Sequence, residues 1–200
     1  MAYFKANYPR QFLVSLLNSV IGYKKKTNDY LQLAYDMRLE IITPTINQPL
    51  SKYVLKDNKI YLPLLIINQI GLVFYNKILE DYQKNGKYHD VYDLFIRLYK
   101  KGLNKKTYEA LCYSNALSEF QINRTTLIKN YTAINAYVKK LKINEKKSEK
   151  SELIEKSELI EKSELIYYKD DLIKNLEKEY YFLGFYIKEK LQPLLLKHYQ

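Results

Sequence analysis

The chain has 200 residues, 47% of them hydrophobic, with no Trp, five Gly, five Pro and a formal net charge of +11. This length suits one compact domain with or without an appendage, and the shortage of turn residues argues against an all-β fold and for a mainly helical one. A pI near 9.3 draws polyanions such as DNA, RNA or an acidic membrane face; Lys, Asn, Ile and Tyr are also what AT-rich codons supply, so charge favours nucleic acid only modestly.

Cys112 is the only cysteine. It can form no internal disulfide, which fits a reducing cytoplasm, and its Leu111-Cys112-Tyr113 setting suits a buried filler better than a nucleophile. His89 and His198 have no ligand spacing, so no metal site is expected. Lys5 and Arg10 interrupt the N-terminus before a signal peptide could form. The longest apolar run, residues 61–75, contains Pro63, Asn68, Gln69 and Gly71 and falls short of the roughly 20 residues a spanning helix needs. A soluble, cytoplasmic chain with no membrane contact is the expectation.

In chain order, Pro9 opens a helix carrying Phe12, Leu13, Leu16, Leu17 and Val20, closed by Gly22 and Lys24-Lys25-Lys26. A second helix starts near Asn28 or Asp29 with Tyr30, Leu33, Ala34 and Met37 on one face, and Thr43-Pro44 stops it. Residues 51–64 change to period two around Asp57-Asn58, which predicts a short β-hairpin. Helical spacing returns after Gly71 with Phe74, Tyr75, Ile78, Leu79 and Tyr82, and Asn85-Gly86 breaks it. Asp90 caps a helix that Gly102 terminates, and Asn104 caps a short helix that ends in a left-handed turn at Asn115. Asn123 caps a longer helix reaching Leu141. Residues 145–166 hold three copies of Ser-Glu-Leu-Ile at a period of six, which builds neither a helical face nor a heptad seam and predicts a low-complexity, mobile linker. Asp170 and Asp171 begin a last helix with Leu172, Leu176, Tyr180, Leu183 and Ile187 on one side.

A tight turn between two helices can hold a DNA phosphate, because backbone N–H groups and the positive end of the following helix point at it and glycine lets it approach closely. Ile67-Asn68-Gln69-Ile70-Gly71 and Ser114-Asn115-Ala116 are two candidate turns.

Tyr3 to Pro9, Met37 to Asn47, Asn104 to Leu117, Asn123-Arg124, Glu177 to Glu179 and Leu183 to Tyr186 are short phrases whose order resembles the bacterial DNA polymerase III alpha subunit family. Tyr3-Phe4-Lys5-Ala6-Asn7-Tyr8-Pro9 is similar to its Tyr-x-Lys-x-x-Tyr-Pro phrase. Met37 to Asn47 resembles "Met-Gly-Ile, then Pro-Pro-Asp-Ile-Asn". Asn104-Lys105-Lys106 with Glu109-Ala110-Leu111, and then Ser114-Asn115-Ala116-Leu117, resemble Asn-Lys-Arg-x-x-x-Glu-Ala-Leu and Ala-Gly-Ala-Phe. Asn123-Arg124 with Leu127, then Glu177-Lys178-Glu179 and Leu183-Gly184-Phe185-Tyr186, complete the series. Three departures stand out. The first turn keeps only Gly71 where the family has more glycine and a lysine. Asn115 replaces glycine in the second turn. Lys188-Glu189-Lys190 stands where the family has Gly-His-Pro.

The resemblance implies a mainly α fold with a small β-hairpin and a tandem helix-hairpin-helix region with flanking helices. Residues 1–48 would be the end of the fingers, 49–142 the hairpin and DNA-binding region, 143–168 a linker and 169–200 a C-terminal helix. It implies DNA and other polymerase segments as partners; a sliding-clamp peptide would fall near the linker, where residues 163–168 are a degenerate candidate that lacks the glutamine and reads better as the end of a Ser-Glu-Leu-Ile repeat. The candidate DNA contacts are Lys5, Arg10, Gly71, Lys77, Lys105, Lys106, Asn115 and Arg124, the basic ones meeting phosphates without reading sequence. No catalytic residue or metal ligand is assigned, because the family's catalytic aspartates and their Mg²⁺ ions lie outside this stretch, and the chain alone is expected to extend no primer. The rival readings are a free-standing basic helix-hairpin-helix DNA-binding protein and a helical scaffold with incidental Lys enrichment.

Overall fold

The computed structural model describes residues 6–148, 162 and 164–187. Lys5, His198 and most of the Ser-Glu-Leu-Ile repeats lie outside the described residues, and with them most of the expected mobile linker over 145–166, of which residues 145–148 belong to a helix and Ile166 is hydrogen-bonded to Asn130. The fold is mainly helical with one small sheet, as the composition predicts.

Helix α1 (Pro9–Ser19) begins on Pro9 and buries Leu13 and Leu17. Helix α2 (Lys24–Asp36) starts four residues before Asn28, so Lys24-Lys25-Lys26 form its first turn instead of ending α1. Its buried face is Thr27, Leu31 and Ala34, and Leu33 is exposed. The i, i+4, i+7 set Thr27, Leu31 and Ala34 faces inward, and of the face read from sequence only Ala34 is fully buried.

Three short strands follow: β1 (Glu40–Ile42), β2 (Val54–Lys56) and β3 (Lys59–Tyr61), in the order β1-β3-β2. Strands β2 and β3 form the predicted hairpin with Leu55 opposite Ile60, and Asp57 and Asn58 both take positive φ (50° and 63°), as a two-residue turn between twisted strands requires. Strand β1 was not legible: it has three residues and pairs parallel to β3, with Ile41 opposite Ile60, through a connection that no local pattern announces.

Helix α3 (Leu72–Asn85) turns Phe74, Tyr75 and Ile78 inward, and α4 (Val91–Arg97) is capped by Asp90, whose side chain accepts from the Asp93 N–H. Helix α4 ends at Arg97, and Gly102 follows only after a turn. Helix α5 (Lys105–Tyr113) has the Asn104 cap in reciprocal form: the Asn104 side chain accepts from the Thr107 N–H, and the Thr107 hydroxyl accepts from the Asn104 N–H.

Where the spacing predicts one helix from Asn123 to Leu141, there are two, α6 (Arg124–Lys129) and α7 (Tyr131–Ser148). Asn130 separates them. Its amide nitrogen donates to the Thr126 and Ile166 carbonyls (2.8 and 2.7 Å) and its oxygen accepts from the Ile166 N–H (3.0 Å), tying down an extended segment from 164 to 171. Helix α8 (Leu172–Leu183) buries Asn175, Leu176, Glu179, Phe182 and Leu183, while Leu172 and Tyr180 are exposed. The apolar core is continuous from Leu13 and Leu17 through Ile60, Ile78, Leu94, Tyr108 and Val138 to Phe182 and Leu183. Phe95, Tyr108 and Tyr131 meet ring to ring where α4, α5 and α7 converge.

Candidate nucleic-acid interface

The first turn runs from a 3-10 segment (Leu64–Ile66) to Gly71, which caps α3. Gln69 takes φ 80° where a glycine would be unstrained. The backbone donors of this turn are largely engaged within the chain. Asn68 N–H donates to the Phe182 carbonyl (2.8 Å), Gln69 N–H to the Asn68 side chain (3.1 Å) and Ile70 N–H to the Ile67 carbonyl (3.0 Å). Gly71 itself has an ordinary φ of −77°, and a Cβ there would meet nothing within 4 Å. No side chain caps α3, and the two residues after Gly71, Leu72 and Val73, are 62% and 79% exposed. A cleft of about 480 Å³ lies along the turn, lined also by Lys24, Thr27 and Leu183.

The second turn is built into the core. Asn115 takes φ 64°, the left-handed geometry its residue type tolerates. Ser114, Ala116 and Leu117 around it are buried. Ala116 N–H donates to the Leu111 carbonyl and its own carbonyl accepts from Ile46 N–H. Cys112 is buried beside this turn, and burial pushes its thiol far above the usual range. Tyr113 closes α5, and burial, with Glu109 and Cys112 nearby, raises its phenol to about 12.

The candidate cations divide into separate groups. Lys105 and Lys106 are exposed in the first turn of α5. Lys77 is exposed on α3 and lies 3.5 Å from Glu80. Arg10 is exposed near the start of α1. Arg124 does not join Lys105 and Lys106 on an open face. Its guanidinium turns inward, 2.7 Å from the Glu179 carboxylate of α8, and donates to the Tyr113 carbonyl (3.1 Å). The start of α6 is covered as well. The Asp170 carboxylate accepts from the Thr125 hydroxyl (2.9 Å) and from Asn175 (2.8 Å), and Asn123 and Thr126 bond the backbone of Tyr168.

Helix α8 is where sequence reasoning predicts a helix, but its contacts with both turns are what that reasoning missed. Phe182 bonds the first turn through its carbonyl and stacks its ring on Tyr113 at the second, with centroids 5.9 Å apart. The available signal was Phe182: counting back from it by three places Glu179 on the buried face, whereas a face drawn through Tyr180 does not.

Among the described residues no group of three or more His, Cys, Asp or Glu is placed to hold a metal ion, and no helix is long and apolar enough to cross a membrane. Comparison with known families matches residues 38–127 to the helix-hairpin-helix motif. The DNA polymerase III subunit alpha of Staphylococcus epidermidis is 34% identical over 94% of this chain, which corresponds to 17% of the relative. The Bacillus subtilis subunit is 33% identical over 64% of the chain and 11% of its own length, and that of Borreliella burgdorferi 29% over 75% and 13%. The chain's homologues are DNA polymerase III alpha subunits. The chain spans only about a sixth of the Staphylococcus epidermidis alpha subunit. The motif match begins at Arg38, so it takes in β1 and the sheet together with both turns and ends at Leu127 inside α6.

Proposed function

We propose that this chain forms a DNA-contacting part of a replicative DNA polymerase III alpha subunit and holds duplex or template phosphates near an active site supplied, with its Mg²⁺ ions, by other polymerase segments. The reading rests on the helix-hairpin-helix match over 38–127. Within it, Lys105 and Lys106 are exposed at the start of a firmly capped α5 and serve as the main phosphate contacts, with Lys77 and Arg10 as outlying ones. Gly71 leaves room for close approach at the first turn, and Asn115 holds the second turn in shape. Lys5 is a further candidate phosphate contact, from sequence alone. The setting is cytoplasmic and the other partners are the rest of the polymerase and the sliding clamp, for which Ile166 and Tyr167, well exposed on the tied segment 164–171, form the contact.

Phosphate binding releases counterions, so duplex affinity falls with salt at a log–log slope of about −0.9 per neutralised phosphate. The test is fluorescence anisotropy with unrelated duplexes over a salt series. Lys105→Ala with Lys106→Ala should weaken every duplex alike and make the slope shallower by about one to two. Unchanged binding, or binding indifferent to salt, would favour the scaffold reading instead.

A further inference from the structure

Away from both turns, the start of α2 and the end of α8 form a second basic surface. Lys24, Lys25 and Lys26 occupy the first turn of α2, which contains no acidic residue and has no side-chain cap. All three are exposed. Their ammonium groups sit at the end of the helix where the macrodipole is already positive, an arrangement that costs stability unless an anion is near. The Lys24 ammonium donates to the Tyr181 carbonyl (3.0 Å), which fixes α2 against α8 without cancelling charge.

Two exposed tyrosines, Tyr180 and Tyr181, face Lys24 and Lys25 across a shared cleft, and a third, Tyr23, precedes Lys24 in the chain. Tyr23 is 67% exposed, Tyr180 49% and Tyr181 55%. Two of these rings are held by neighbours: Tyr180 packs on Tyr186 with centroids 5.1 Å apart, and Tyr181 meets Phe182 edge to face at 5.0 Å. Lys24, Lys25, Tyr180 and Tyr181 line one cleft of about 530 Å³, with Glu177 the acidic residue on its wall.

We infer that this cleft binds single-stranded DNA. Fixed, half-exposed aromatic rings beside lysines offer two things an unpaired strand needs: a flat face for a base to stack on and cations for its phosphates. A duplex offers no free base face, so the rings distinguish this surface from Lys105 and Lys106. A protein segment would find few apolar side chains and an excess of positive charge. The choice of DNA over RNA rests on the proposed polymerase function; the choice of single strands rests on the rings.

The test uses the full chain with fluorescein-labelled oligothymidine, oligouridine and duplex DNA. Tyr180→Ala with Tyr181→Ala should weaken oligothymidine binding about tenfold, while Tyr180→Phe with Tyr181→Phe should keep it, since stacking needs the ring and not the hydroxyl. Duplex affinity should be unchanged in both. Lys25→Ala should weaken oligothymidine binding and flatten its salt dependence, and Glu177→Gln should strengthen it. Circular dichroism guards against misfolding, and the Phe pair keeps the test decisive if the Ala pair unfolds: loss of binding in a folded Phe pair would refute stacking. Absence of oligothymidine binding by the parent, equal loss of duplex and single-strand binding in the Ala pair, or tighter binding of oligouridine would each overturn the inference. Failure of the duplex reading shows separately, in the Lys105 and Lys106 variants.

Discussion

Arg124 and Glu179 lie 2.7 Å apart across the α6–α8 junction, with the carboxylate side chain 2% exposed and the guanidinium 20%. The second Glu179 oxygen accepts from the Ile187 N–H (2.8 Å), so both carboxylate oxygens are engaged. A residue that looks like a DNA contact in sequence therefore anchors helix α8. Arg124→Ala should leave a buried carboxylate without its cation and cost about 3 kcal/mol. Urea denaturation followed by circular dichroism measures this. A loss below half that value would show that Arg124 is free to serve DNA.

The Asp81 carboxylate of α3 gathers a second set of charges. It meets the Arg97 guanidinium at 2.7 Å and the Lys101 ammonium at 3.1 Å. Arg97 also donates to the carbonyls of Gly86 and Lys87 and lies over the Tyr88 ring, so one side chain holds the α3–α4 connection. Burial pushes the Asp81 carboxyl up, but Lys101 and Arg97 outweigh it and hold the group below the usual carboxylate value. A lowered folded-state value means the stabilisation is complete above the unfolded-state pKa and is lost as pH falls through the folded one. Thermal melts should therefore show stability declining below about pH 4, and Asp81→Asn should flatten that decline. An identical acid limb in the variant would rule Asp81 out as its source.

Gly102 shows where a glycine is required. Its φ is +115°, and a Cβ would come within 2.9 Å of the Phe74 ring. Gly102→Ala should cost about 1–3 kcal/mol through backbone strain and displacement of Phe74. A melting temperature within a degree of the parent would mean that Phe74 yields more easily than its burial suggests.

Local signals carried much of the fold. The caps at Asp90, Asn104 and Asn123 and the turn at Asp57-Asn58 were legible because each is decided by residues within one turn of chain. The parallel partner of β3 and the inward face of α2 were not, since both depend on what packs against them. At the candidate site, Lys105 and Lys106 are exposed as their polar surroundings suggest. Arg124 was misread because Glu179 is 55 residues away and reaches it only through the Tyr168–Asp171 segment that seats α8. Ion pairs between distant helices leave no periodic trace in a single sequence.

Gly71 separates folding from binding more cleanly than any basic residue here. Its φ of −77° is open to every residue type, and nothing lies within 4 Å of a Cβ built on it. The fold therefore meets no steric obstacle at this position, and Gly71→Ala should shift the melting temperature by only a few degrees, because the poorer N-cap that alanine makes opposes the restriction of the unfolded chain. The same added methyl would stand where a phosphate must approach the uncapped start of α3. If the first turn touches DNA, Gly71→Ala should weaken duplex binding about threefold to tenfold with the fold intact, and Gly71→Val should weaken it further. If the engaged Asn68 N–H has already withdrawn this turn from DNA, both variants should bind like the parent. Anisotropy titrations beside thermal melts of the same samples distinguish the two cases. Unchanged affinity in the valine variant would leave Lys105 and Lys106 as the principal duplex contact.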